Sequence, residues 1–426
     1  MRKIVKYDGI TILYQKNNTN KATYCEFGIN CGAFCEKIDG TAHYLEHMFF
    51  TETDKLSHQD IEKEKFLNRI NAYTTFNTIQ ITFDQSSSLI KHCFEICSDM
   101  FFHSKITKEY VDKESEIIKT EINRKLTNPQ NEITYKHEEK LFNNKKFAMS
   151  AAGTVESVKK ITPKTLIDFR EKYYFKENFS ITIVTNKSLK YVKKLIKTYI
   201  LPNLNSKNEK ISNSDEVNFC EKSFVQIINK DVQNSIVVLN LNKITKETTV
   251  PKILKQVQLR IYLNTLLSKK LSKRLRDEKS FIYSISNFNF SNKKEICWGI
   301  KFETDSKNIL PALQEINNVF TKTYESGFSK EDFDDFVTKN KLTEDMEYSI
   351  PGKEIVNMQN IYKNYGKFLN HKQTKKSFYS ITLDELNSFY KENFKINKFF
   401  LSVMTSKDKK EMPTLKDVEK IFIKKE

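Results

Sequence analysis

His43-Tyr44-Leu45-Glu46-His47 sets two imidazoles and a carboxylate within five consecutive positions. On a helix, positions i, i+3 and i+4 share a face, so His43, Glu46 and His47 point one way. Two imidazoles one turn apart can grip a single ion, and neutral imidazole suits a borderline metal such as zinc. A hydrolytic zinc site needs three protein ligands and an open position for water. Two ligands are here, so a third has to come from elsewhere in the chain. The competing reading is a surface helix with two solvated histidines, and the residues that follow weigh against it.

A second helical stretch, Lys108 to Arg124, supplies candidate donors. Val111, Ile117, Ile118 and Ile122 form a broken apolar stripe along it, while Glu114 and Glu121, seven apart, share a face two turns from each other. Taken alone, this run reads as a solvated charged face laced with Lys–Glu pairs.

Taken together, the two segments resemble the inverzincin metallopeptidases. This is the M16 (pitrilysin or insulysin) family that includes the mitochondrial processing peptidases, and the likeness is greatest to its short two-domain bacterial members. The family signature is H-x-x-E-H followed, about 75 residues on, by a glutamate ligand inside an E-x-x-x-x-x-x-E helix. Here His47 and Glu121 are 74 residues apart. The resemblance implies one zinc ion per chain held by His43, His47 and Glu121, with Glu114 as a supporting carboxylate and Glu46 as general base. Gly40-Thr41-Ala42, ahead of His43, and Met48-Phe49-Phe50, following His47, resemble the family's flanks.

Asn71-Ala72-Tyr73-Thr74-Thr75 resembles the family's N-A-x-T-S segment, an edge strand that holds substrate backbone, which implicates Asn71 and Ala72 in substrate binding. Its alternation continues through Ile79, Ile81 and Phe83, as expected of a strand with one buried face. In the second half, peptide-cutting members of the family place an arginine and a tyrosine seven apart. Arg276 and Tyr283 fit that spacing, and the resemblance gives them recognition of the substrate backbone and a hydrogen bond to the developing oxyanion. Seven arginines against 64 lysines make an arginine at that place the more notable.

The 426 residues are too many for one comfortable core and predict two or three domains. The sequence reads as two similar halves. Residues 1–201 run strand, helix, strand and helices, and close on Phe179 to Thr185. Residues 223–426 open with strands at Ser223–Ile228 and Ser235–Leu241, then a long helix near 251–270 and two strands to about 302, and close on Lys398 to Met404. The two closing segments follow helices with aromatic ends and suggest an internal duplication. Between the halves, 202–222 is rich in Asn, Ser, Lys and Glu and reads as a linker. The expected fold is α+β: two similar αβ domains, each an antiparallel-rich sheet with helices on one face. The resemblance makes this a duplicated half-clamshell, which would need a second subunit to close a chamber.

A formal charge of +17 raises nucleic-acid binding. The lysines are spread along the chain without a basic arm or an aromatic-interleaved patch, and Lys-heavy usage suits base readout poorly, so no nucleic-acid partner is expected. Such a charge can still steer acidic peptides. The seven cysteines contain no C-x-x-C pair, and neither a structural zinc cluster nor a disulfide framework is expected. Cys93 and Cys97 read as buried thiols. The N-terminal residues lack the apolar core of a signal peptide, and nothing approaches a membrane-spanning apolar run, so the cytoplasm is the default expectation. Phosphate-loop, dinucleotide and nucleophile-elbow motifs are absent.

The expected activity is zinc-dependent endoproteolysis of peptides, in a homodimer or in a heterodimer with a related subunit. Two alternatives differ in kind: a noncatalytic partner or scaffold subunit, and a dedicated protease that matures a ribosomally made peptide.

Overall fold

The computed structural model describes residues 2–18, 21–142, 150–207, 223–291, 294–347, 371–394, 398–408 and 411–423, with 209, 211, 218–220, 359 and 362 between them. Part of the stretch read as a linker (208, 210, 212–217 and 221–222) and the last three residues, 424–426, lie outside the described residues. The chain forms two compact units that interleave along the sequence. One holds residues 1–124, 149–215 and 345–368; the other holds 125–148, 216–344 and 369–426.

In the first unit, strands form where apolar residues alternate. Ile10, Ile12 and Tyr14, then Cys25, Phe27 and Ile29, then Ile79, Ile81 and Phe83, then Phe179, Ile181 and Ile183 all project to one core. The strands are β1 (Arg2–Tyr7), β2 (Ile10–Lys16), β3 (Ala22–Ile29), β4 (Asn71–Thr74), β5 (Ile79–Ser86) and β6 (Phe179–Thr185), in the order β1-β2-β6-β3-β5-β4. Only β2 and β6 run parallel; the other neighbours are antiparallel.

Helices α1 (Thr41–Met48), α2 (His58–Asn68), α3 (Ile90–His103) and α4 (Lys108–Thr127) complete this part of the unit. Phe94 and Phe101 of α3 bring their rings to 6.0 and 5.9 Å from that of Phe27. Each such ring removed from water stabilises the fold by roughly 1.5–3 kcal/mol. On α4, Val111, Ile118 and Ile122 are buried, but Ile117 is 47% exposed. The apolar stripe read from the sequence is therefore one residue narrower than expected.

The segment beginning at Asn71 is not one continuous strand. Thr75 turns the chain: its N–H donates to the carbonyl of Thr78 at 2.8 Å, and its hydroxyl accepts from the N–H groups of Asn77 and Thr78 at 3.1 and 3.0 Å. A threonine hydroxyl closing on the backbone two and three residues ahead supplies a turn without glycine or proline. Within this segment only β4 lies at an edge of the sheet, and Ile79 to Phe83 belong to the interior strand β5.

The second unit repeats this plan. Its strands are β7 (Ser223–Ile228), β8 (Ser235–Thr245), β9 (Ile282–Asn287), β10 (Phe290–Ser291), β11 (Glu295–Thr304) and β12 (Phe399–Thr405). They run β10-β11-β8-β12-β7, with β9 also paired to β11. Again one pair, β7 with β12, is parallel, and the remaining pairs are antiparallel. The order β7-β12-β8-β11-β9 matches β2-β6-β3-β5-β4, so β9 is the counterpart of the edge strand β4. Helix α5 (Pro129–Leu141) belongs to this unit, with Ile133 packed among Ile227, Ile236, Val238 and Met404. His137 on the same helix is fully buried, its Nδ1 2.9 Å from Ser402 Oγ and its Nε2 2.9 Å from Asn240 Oδ1.

Cys31 and Cys35 are joined by a disulfide, one local bond where no disulfide framework was expected. Cys93 and Cys97 are buried thiols. Among the described residues, no helix is long and apolar enough to cross a membrane.

Candidate metal centre

Helix α1 buries Thr41, Ala42, His43, Tyr44, Leu45 and Met48, while Glu46 and His47, which share a face with His43, are half-buried. The helix packs against β4, β5 and the helix Pro163–Tyr173. Its first residue follows Gly40, whose φ is +93°, a left-handed conformation that favours glycine. A Cβ on Gly40 would stand 2.6 Å from the carbonyl oxygen of Ala152, so close approach of backbone also demands glycine there. The hydroxyl of buried Tyr44 donates to the carbonyl of Val111 and ties α1 to α4.

Across that tie, α4 presents Glu114 and Glu121. Glu121 Oε2 lies 3.8 Å from His43 Nε2 and 3.5 Å from His47 Nε2. One donor atom from each of these three residues falls within 4.8 Å of the others. The opposite side of the His47 ring is also engaged, with Nδ1 3.0 Å from Glu114 Oε2. Side-chain exposures of 11% for His43, 18% for His47, 13% for Glu114 and 24% for Glu121 describe a recessed cluster that solvent still reaches.

Burial by itself disfavours a charged His47. Hydrogen bonds to Glu114 and Glu121, and then the charges of Glu114 and Glu46, outweigh it and lift the pKa to about 9. The same electrostatics suit a cation. An Nδ1–H directed at Glu114 fixes the tautomer that leaves Nε2 facing His43 and Glu121.

The donor set fits zinc. Two imidazole nitrogens and a carboxylate oxygen are ordinary ligands of this ion in hydrolytic sites. Ligands about 2.0–2.1 Å from one ion at tetrahedral angles stand roughly 3.3–3.5 Å apart, within a few tenths of an ångström of the separations from Glu121. Glu46 is half-buried beside this set, on the same helix face.

Asn71 and Ala72 lie on β4, Asn71 exposed and Ala72 buried, in register with Thr82 and Ile81 of β5. Thr74 of this strand reaches the carbonyl of Ala42 at 3.5 Å, so the edge strand adjoins the helix that bears the histidines. Arg276 and Tyr283 belong to the second unit. Arg276 sits in a π-helical turn, Lys273–Glu278, that ends the helix Val250–Ser272; its side chain is 59% exposed, with Nε 3.6 Å from Asp277 Oδ1. Tyr283 lies on β9 and is 86% exposed. Arg274 anchors the same turn, with contacts of 2.6 Å to Glu315 and 2.8 Å to Glu278.

Glu36 has no place in the sequence reading. It is a buried carboxylate whose two oxygens accept the N–H groups of Gly40 at 2.8 Å and Ala42 at 2.7 Å. Its only sequence signal is an acid a few residues before a glycine and a helix.

Residues 11–155 match the family described as Insulinase (Peptidase family M16), and residues 160–340 match the Peptidase M16 inactive domain. The uncharacterized zinc protease YmfH of Bacillus subtilis is 32% identical over 146 residues, 34% of this chain and 33% of that protein. Human mitochondrial-processing peptidase subunit beta is 29% identical over 141 residues, 33% of this chain and 29% of that protein. The chain thus spans about a third of the length of these two curated relatives. The periplasmic protease PqqL from Escherichia coli shares the fold, with a TM-score of 0.82 at 18% identity over 99% of this chain and 49% of that one.

Proposed function

The chain belongs to the M16 peptidase family, and from that premise we propose that it is a zinc-dependent endopeptidase acting on peptides or small unfolded polypeptides. One observation carries the reading: His43, His47 and Glu121 converge with a complete donor set, while Glu114 holds the far side of His47.

His43, His47 and Glu121 would hold the ion. When bound, zinc polarises the scissile carbonyl and lowers the pKa of a water molecule towards neutrality. Glu46 takes the proton of the attacking water and passes it to the leaving amine, the work of a carboxylate general base and then general acid. Glu114 orients His47 through Nδ1 and raises its basicity as a ligand.

The substrate enters as an extended segment. Among the described residues β4 ends the sheet, so its outer side can pair with an added strand. Main-chain pairing reads extended shape more than side-chain identity, with Asn71 and Ala72 supplying part of that backbone. Arg276 and Tyr283 are exposed side chains suited to gripping substrate backbone and to stabilising the oxyanion.

The named subunit among the relatives supports a two-subunit assembly, either a homodimer or a heterodimer with a related chain that closes the chamber. The match of residues 160–340 to a domain described as inactive favours one second reading, a noncatalytic partner subunit. Against it, the proposed ligands lie in the other match, residues 11–155, with every ligand position filled. Digestion of a peptide library with and without chelator, followed by mass spectrometry, tests the reading. Chelator-sensitive cleavage supports it. A purified chain that takes up less than about a tenth of an equivalent of zinc supports the noncatalytic subunit instead.

A further inference from the structure

Helix α1 carries His43, Glu46 and His47, yet it has no side-chain cap of its own. The capping position is Gly40, and no side chain at that position accepts from the first turn. Four backbone N–H groups at a helix start lack intrahelical partners, and leaving them buried without acceptors is costly. Glu36 satisfies two of them from outside the helix. Its Oε2 accepts from Gly40 and its Oε1 from Ala42, the residue immediately before His43. Glu36 is 7% exposed as a residue, so these charge-assisted bonds are shielded from water. A negative charge at that end of the helix is also favoured by the helix dipole.

The segment that bears Glu36 is itself fastened to the hairpin that carries the edge strand. Ala33 N–H donates to the carbonyl of Thr75 at 3.2 Å and Phe34 N–H to that of Phe76 at 3.0 Å. A Cβ on Gly32 would stand 2.1 Å from the Thr75 carbonyl oxygen, so the two backbones are in direct apposition. Cys31 and Cys35, bonded to each other, close the turn immediately before Glu36. One buried carboxylate therefore joins the first turn of α1 to a loop anchored at the end of β4.

We infer that Glu36 is a positioning residue: its carboxylate sets helix α1 against the β4–β5 hairpin, and so aims the histidines and Glu46 relative to the strand that receives substrate. This rests on the zinc-peptidase reading for its consequence, but the positioning itself is testable without metal. Glutamine keeps one acceptor oxygen and turns an amide donor towards a backbone N–H, so Glu36→Gln breaks one of the two bonds while preserving volume. Aspartate keeps the charge but is one methylene too short to reach both amides.

The experiment measures amide hydrogen exchange of residues 36–48 in metal-free protein, and zinc affinity by chelator competition, for wild type and for Glu36→Gln and Glu36→Asp. The expected result for Glu36→Gln is at least tenfold faster exchange across 40–48, little change in the helix Val250–Ser272, and zinc binding weakened about tenfold or more. Glu36→Asp falls between this variant and wild type. Unchanged exchange at 40–48 in both variants overturns the inference. So does a lowered melting temperature with zinc affinity intact, because that marks a merely structural residue. If wild-type protein binds no zinc while exchange still responds to Glu36, the zinc-peptidase reading fails and the positioning of α1 stands.

Discussion

His47 Nδ1 and Glu114 Oε2 stand 3.0 Å apart, on helices whose sequence positions are 67 residues distant. The contact leaves Nε2 of the same ring to face Glu121 and His43. In the proposed zinc site, Glu114 would therefore act on the ion through His47. Removing it should weaken zinc binding by roughly 10–100-fold without abolishing it. Chelator competition on Glu114→Ala checks this. An affinity equal to wild type would show that the contact does not tune the ligand.

Glu46 shares the face of α1 with both histidines but is not among the three converging donors. Glu46→Gln should bind one equivalent of zinc and lose roughly 10²–10⁴-fold in turnover, the usual range for a lost general base. His47→Ala should instead lose the metal. Zinc content by elemental analysis, read beside cleavage of a fluorogenic peptide, separates the two variants. Chelator-sensitive hydrolysis at wild-type rate in Glu46→Gln would sink the mechanism.

Arg276 and Tyr283 are exposed, and Arg276 pairs with its sequence neighbour Asp277. Surface changes of this kind shift stability by about 0.5 kcal/mol or less. Arg276→Ala and Tyr283→Phe should therefore keep zinc content and melting temperature while kcat/KM falls, by about 10²–10³-fold where an oxyanion contact is lost. Steady-state kinetics beside a thermal melt provide the check. Wild-type kcat/KM in both variants would rule out a catalytic role for these residues.

Much of this arrangement is legible in the chain because it depends on local period. The i, i+3, i+4 spacing of His43, Glu46 and His47 sets one helix face, and the separation of seven places Glu114 and Glu121 on one face of another. Strands β2, β3, β5 and β6 show their buried side by alternation. The turn at Thr75 is not legible, since a hydroxyl closing on its own backbone leaves no glycine or proline to mark it. Glu36 escapes notice for a similar reason: a cap supplied from outside the helix lacks the Ser/Thr/Asp signature at the capping position. Nor does local pattern show that α5 joins the second unit. Its buried face is polar at His137, and its partners Asn240 and Ser402 are more than a hundred residues away.

That buried histidine yields a prediction about pH. Burial, against the hydrogen bond with Asn240 and reinforced by the charge of Lys301, holds the His137 pKa down at about 4. An unfolded chain restores the ordinary value near 6.5. The folded state thus binds this proton less readily than the unfolded one. The stability tied to neutral His137 is present in full above pH 6.5 and is lost as pH falls from there towards 4, up to ~3 kcal/mol by linkage. Glu138, on the same helix, is raised to about 7 by burial and works in the opposite direction: its protonation stabilises the fold as pH falls from 7 towards 4.5. Comparing wild type with His137→Gln isolates the histidine, because Glu138 is common to both. Denaturant unfolding at pH 7.5 and pH 4.5 should show wild type losing more stability than the variant over that interval. Equal losses would mean that His137 is not kept neutral by the sheet against which α5 packs.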